Sequence, residues 1–392
     1  MATAESPSPR ALQAGLLVAF ATFVVLGLPD GVIGTIWPTL RDDLGRTQGS
    51  FGWIMVAISV GYTTASFGSG RVTARIGVGR MVQRSIATSA AGLAIVATSP
   101  GWWVTVAGFL VLGVGNGGID AGLNAWVALT RGPRAMGMLH AAFGLGATLG
   151  PLLAALFVRS GGWRGAFIVI VAFETLVFVG VGLLRAGFDA TPRSAEVQAT
   201  PPAGVGSDRL LALMIGWFCV YVAVEVTVGQ WSYTLLTEGR DVDESIASLA
   251  VAAYWGGLTV GRLLLGGFGH RARPEAVVSA TTASALVAIA WLWIDPGGVG
   301  AWALPVVGLS LAVMFPMLVN RTPVYLGAEH SNHAVGYQLA ASSVGFVVVP
   351  SAVGLLADRR GIEVTGPVAF GTAVALALLW LAILSEVRAA RG

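Results

Sequence analysis

A carboxylic acid and two amides sit near the middle of the apolar stretch from Trp102 to Thr130: Asp120, Asn116 and Asn124. At about 100° per residue, spacings of four keep them on one helix face as a polar stripe. The stretch is long enough to cross a bilayer, and an ionised Asp at that depth costs about 2.5–3.5 kcal/mol on insertion scales. A helix carries such a stripe only if it faces protein or water. It could be a hydrogen-bond staple between helices, but amides alone would serve for that. An acid adds the power to take up and release a proton. Gly113, Gly117 and Gly122 would let neighbouring backbones come close. A second acid, Asp30, sits in Leu28-Pro29-Asp30-Gly31, where Pro29 and Gly31 are expected to loosen the backbone around it.

A third constellation is Tyr221 to Trp231. Tyr221, Glu225 and Gly229 share a face. Gln230 and Trp231 converge on Glu225 only if the helix unwinds near Gly229. A carboxylate, an amide and an indole together suit a hydroxyl-rich ring, the polar groups meeting hydroxyls and the indole stacking on C–H faces. Trp231 could equally anchor at a membrane interface. Gln338, with Ser342 one turn on, and Phe315 in Met314-Phe315-Pro316 are further candidates for ligand contact. His140, Glu174 and Arg262 stay unassigned: His140 near a helix start, Glu174 without evident polar company, Arg262 as a neutraliser of some acid or a cap at the cytoplasmic end.

The elements that position these residues are membrane spans. Charged residues make up 11% of the 392-residue chain and hydrophobic ones 55%, far from the balance of a soluble domain. Every basic residue is Arg and these are dispersed, so nucleic acid is not an expected partner; the lipid bilayer and a small-molecule substrate are. The lone Cys219 cannot form an internal disulfide. The run from Ala11 to about Leu40 is too long for a signal-peptide core and reads as a retained helix.

Twelve apolar segments can be counted, at 11–40, 49–70, 81–98, 102–130, 136–158, 165–185, 210–236, 244–267, 274–294, 298–320, 333–356 and 365–386. The fold class is therefore all-α, with 12 transmembrane helices in two pseudo-symmetric six-helix bundles. The expected domains are 1–185 and 209–392, joined by a Pro-, Ser-, Thr- and Ala-rich cytoplasmic linker at 186–208. Arg clusters such as Arg71/Arg75/Arg80/Arg84 and Arg131/Arg134 place both termini in the cytoplasm, with Arg159, Arg164, Arg359 and Arg360 as exceptions. In a bacterial cell this is the inner membrane. Gly61, Gly70 and Arg75 recur as Gly257, Gly266 and Arg271 at half the chain length, which points to duplication.

Gly70-Arg71-Val72-Thr73-Ala74-Arg75-Ile76-Gly77-Val78-Gly79-Arg80 resembles the loop motif of the major facilitator superfamily, with Ala74 where that family usually has Asp. Gly146-Ala147-Thr148-Leu149-Gly150-Pro151 is similar to the fifth-helix motif of its antiporters, and Gly162-Trp163-Arg164 fits as well. The stretches Gly115–Val127 and Tyr221–Trp231 look like fucose permease-type proton/sugar symporters. That resemblance implies Asp30 as the acid taking the transported proton and Asp120 as the acid coupling it to sugar. Asn116, Asp120, Asn124, Glu225, Gln230, Trp231, Gln338 and Phe315 become substrate contacts, and Gly70, Arg71 and Arg75 gating residues. It also implies a monomer.

The expected function is secondary active transport of a small polar solute, a monosaccharide above all, by proton symport with alternating access. A proton-driven exporter of drugs or metabolites is the alternative, favoured by the Gly-Pro motif at 146–151. A nutrient sensor would bind without flux. Metal-ligand spacing, a Gly-rich nucleotide loop and a serine–histidine arrangement are all missing from the sequence, so neither an enzyme nor a cofactor is expected. The coupling ion is read as H⁺, with Na⁺ open.

Overall fold

The computed structural model describes residues 9–131, 133–160, 162–184, 188, 208–268 and 273–389. Every regular element among them is helical. The first series is α1 (Pro9–Asp43), α2 (Phe51–Ile76), α3 (Val78–Thr98), α4 (Trp102–Thr130), α5 (Pro133–Val158) and α6 (Arg164–Leu183). The second is α7 (Asp208–Thr234), α8 (Glu244–Phe268), α9 (Pro274–Ile294), α10 (Leu304–Leu311), α11 (Met314–Leu326), α12 (Ala328–Arg360) and α13 (Thr365–Ala389). Among the described residues, eleven helical spans are long and apolar enough to cross a membrane. The twelfth segment is α3, of 21 residues, which Arg80, Gln83 and Arg84 make more polar at its start. Large apolar side chains such as Leu17, Phe67 and Leu183 stand exposed on the helices, as lipid-facing residues do. Linker residues 186–187 and 189–207, and Arg271, lie outside the described residues.

The chain divides into two compact units, one drawn from Met1–Gly45 and Trp53–Ala195, the other from Arg46–Gly52 and Glu196–Gly392. The short segment between α1 and α2 thus belongs with the second unit. Thr47 Oγ1 donates to Asp358 at 2.8 Å, and Gln48 Nε2 to Glu238 at 2.8 Å.

Within each unit, glycine brings helices to backbone contact. A Cβ on Gly61 would strike the Leu110 carbonyl of α4, and one on Gly257 the Pro305 carbonyl of α10. Gly113 lies on the Ile58 carbonyl and Gly308 on that of Tyr254. The first pair of the sequence repeat, Gly61 and Gly257, is therefore a repeat of one packing device. Gly27 and Gly31 meet the backbone of Phe143 and Ala147, while Gly146 meets Val24. The Gly-Pro motif of α5 consequently packs on α1.

This corrects one expectation. Pro29 and Gly31 do not break α1, which runs unbroken to Asp43 with Pro29 and Pro38 inside it. Gly31 serves close approach, not unwinding.

The tenth segment is broken instead. Pro316 has no N–H to offer the Ala312 carbonyl, and the helix interrupts at Ala312-Val313 between α10 and α11. Just before the break, the Leu311 carbonyl accepts from the Tyr221 hydroxyl at 2.9 Å.

Each unit also closes one end with an ion pair. In the first, Asp43 at the end of α1 accepts from Arg164 Nη1 at 2.7 Å and from the Trp163 indole at 3.1 Å. Arg164 Nη2 reaches the Ser99 carbonyl after α3. In the second, Arg240 beyond α7 donates to Glu363 at 2.9 and 3.1 Å, and to the Leu292 and Trp293 carbonyls of α9.

Candidate functional site

The polar stripe of α4 divides. Each step of four residues turns a further ~40° around an α-helix, so Asn116 and Asn124 end up about 80° apart. Asp120 Oδ2 accepts from the Tyr62 hydroxyl at 2.6 Å, and its Oδ1 from Asn124 Nδ2 at 2.9 Å. Tyr62 comes from α2, which Gly113 and Gly117 let settle directly on α4. Asp30 acts electrostatically on Tyr62, and His140 on Asp120, so residues from α1, α2, α4 and α5 form one titratable cluster. His140 is exposed and its ring meets Phe23 edge-on at 6.0 Å.

Asn116 leaves this cluster. Its Oδ1 lies 3.0 Å from Ser89 Oγ of α3, and the same hydroxyl lies 2.6 Å from Glu174 Oε1 of α6. Glu174 therefore has polar company, contrary to the sequence expectation, and is 1% exposed. One turn of α4 separates two acid-centred networks.

In the second unit, Glu225 lies 3.6 Å from Arg262 Nη2. The Tyr254 hydroxyl donates to the Glu225 carbonyl at 2.7 Å. The expected unwinding at Gly229 does not occur: α7 stays regular to Thr234, and a wider π-turn follows only at Leu235–Gly239. Gln230 and Trp231 therefore do not converge on Glu225. Both are buried in the unit, Trp231 completely, with its indole N–H on the Pro350 carbonyl at 2.9 Å and Phe51 edge-on at 5.1 Å. Trp231 is neither an interfacial anchor nor a ring open for stacking in this conformation.

Phe315 packs edge-on against Phe218 at 4.9 Å and tilted against Tyr221 at 5.6 Å. Gln338 is fully buried; its Oε1 accepts from Thr322 at 3.2 Å, and its backbone carbonyl from Ser342. Gly70, Arg71 and Arg75 are exposed at the end of α2.

Sequence reasoning missed Tyr62 and Ser89. A phenol or hydroxyl within an apolar span needs a partner, which was the available signal.

Helices paired through glycine in two repeated units, with acids in their interiors, describe a known architecture. Residues 18–350 match the family model of the Major Facilitator Superfamily. The chain belongs to this superfamily. As a member it is a multi-pass membrane transporter, not an enzyme. Among curated relatives, it is 20% identical over 389 residues to the glucose/mannose transporter GlcP of Bacillus subtilis, covering 96% of this chain and 95% of that one. It is 24% identical over 378 residues to the human sodium-dependent glucose transporter 1, covering 86% and 73%. To the Saccharomyces cerevisiae bypass of stop codon protein 6 it is 24% identical over 286 residues, covering 64% of this chain and 56% of that protein's length. Among solved structures, a variant of the E. coli fucose:proton symporter FucP superposes with a TM-score of 0.63 at 14% identity, covering 95% of this chain and 99% of that one. At that identity the likeness shows the fold alone.

Proposed function

We propose that this superfamily member is a proton-coupled monosaccharide symporter working by alternating access, as a monomer in the cytoplasmic membrane with both termini inside. The observation that carries the reading is Asp120, held inside a membrane-spanning helix by Tyr62 and Asn124 and under the electrostatic influence of His140. A carboxylate with two donors aimed at it can exchange a proton without losing its position. Asp30 is the other coupling acid. One charge moved through 100 mV is worth about 2.3 kcal/mol, enough to drive accumulation.

The hydroxyl-binding candidates are Asp120 and Asn124 in the first unit and Glu225 in the second. Asn116 is committed to Ser89, and Trp231 to Pro350. Gln230, Gln338 and Phe315 join the set only in a conformation that uncovers them. Gly70, Arg71 and Arg75 are the gating candidates. The sugar assignment draws support from GlcP, named as a glucose/mannose transporter. The sodium-dependent human relative makes Na⁺ the competing coupling ion.

The test is external pH in weakly buffered proteoliposomes on addition of glucose, mannose, galactose or fucose. Alkalinisation with one sugar, independent of Na⁺ and abolished by Asp30→Asn and Asp120→Asn, is expected. Uptake that requires Na⁺ and moves no protons would overturn the coupling. Silence to all sugars would overturn the substrate class.

A further inference from the structure

Glu174 lies outside the cluster around Asp120, and with the Asn116 oxygen facing Ser89 its hydrogen bonds do not balance if it is charged. Ser89 has one hydroxyl hydrogen and two acceptors against it, Asn116 Oδ1 at 3.0 Å and Glu174 Oε1 at 2.6 Å. It can donate to only one of them. A hydrogen on the carboxyl supplies the missing donor: Glu174 donates to Ser89, and Ser89 to Asn116.

Turning the Asn116 amide round would let Ser89 donate to a charged Glu174. That arrangement buries a full charge on one hydrogen bond, since Glu174 Oε2 has no partner among the described residues. An orphaned oxygen is far less unfavourable on a neutral acid than on an ion. Among the described residues the surroundings offer no counter-charge. Thr22, Val25 and Leu26 of α1, Ile86 of α3, Ile119 of α4 and Val177 of α6 line a crevice beside the carboxyl that is too narrow for water. No charged group among the described residues acts on it.

We propose that Glu174, Ser89 and Asn116 form a second proton-binding site, with Glu174 as the neutral acid whose hydrogen bond passes through Ser89 to Asn116. The bound proton ties α6 to α4 by way of α3. Its removal would either set two acceptors against one hydroxyl hydrogen or turn the Asn116 amide round, leaving a buried charge on a single hydrogen bond.

Infrared spectroscopy of the purified, bilayer-reconstituted protein at neutral pH tests this. A protonated-carboxyl band is expected in the wild type, lost in Glu174→Gln, kept in Asp120→Asn and shifted in Ser89→Ala. A carboxylate band lost from Glu174→Gln instead, or no band lost at all, would overturn the proposal. If Glu174→Gln does not fold, Ser89→Ala decides alone, because an unshifted band would mean that no such chain exists. The measurement uses neither sugar nor gradient. It can therefore fail while the symport reading stands, and succeed while that reading fails.

Discussion

The Tyr62 hydroxyl donates to Asp120 at 2.6 Å, so the acid on α4 is held by a neighbouring helix and not by its own alone. Tyr62→Phe deletes that donor and keeps the ring. A hydrogen bond to a charged group is worth about 1.5–3 kcal/mol, so proton-driven sugar uptake should fall by about tenfold or more. Initial rates of labelled-sugar uptake under an imposed pH gradient measure it. An unchanged rate would mean that this bond has no part in turnover.

Asp120→Asn keeps the size of the side chain and the Tyr62 contact but removes the titrating group. Downhill counterflow of sugar should persist while accumulation against a gradient disappears. Loss of both would leave Asp120 a binding residue without a separable coupling role, and loss of neither would remove it from the coupling mechanism.

Gly146→Ala puts a methyl group on the Val24 carbonyl, and Gly61→Ala one on that of Leu110. Backbone cannot yield as a flexible side chain can, and overpacking of this kind costs about 1–3 kcal/mol. Both variants should melt several degrees below the wild type in detergent. Gly70→Ala, with open space at its Cβ, is the control and should melt within a degree or so of it.

Arg240 is 8% exposed in its side chain and donates to Glu363 and two carbonyls. Arg240→Ala leaves those acceptors without their donor and should destabilise by about 1–3 kcal/mol, discounted because Glu363 is half-exposed. Arg240→Lys should recover only part, as an ammonium cannot match the two-pronged contact. Thermal unfolding of the three proteins gives the ranking, and equal midpoints would dismiss the clamp as a stabilising element.

Architecture was legible in the sequence because hydropathy and glycine spacing are local signals. Gly61 and Gly257 even reported the same helix contact, α2 to α4 and α8 to α10. The site was legible only one helix at a time. Spacing put Asn116 beside Asp120, but the accumulated rotation along α4 decided which neighbouring helix each would meet. Ser89 and Tyr62 stood out as polar groups needing partners, but which acid each would meet depended on where α3 and α2 pack on α4. Gly229 and Gly31 were read as points of weakness. In the folded chain Gly229 accommodates the Trp255 ring and Gly31 the backbone of α5. A glycine's flexibility and its small size leave the same mark in a sequence.

The two end clamps have opposite polarity. Where α1 ends in an acid that meets Arg164 at the start of α6, the chain beyond α7 ends in a base that meets Glu363 just before α13. A duplicated chain runs the risk during synthesis that a helix of one half docks on the equivalent surface of the other. Here the wrong pairing would set Asp43 against Glu363 and Arg240 against Arg164, like charge on like at both ends. The inversion would disfavour such mispairing where the glycine contacts at Gly61 and Gly257 would not.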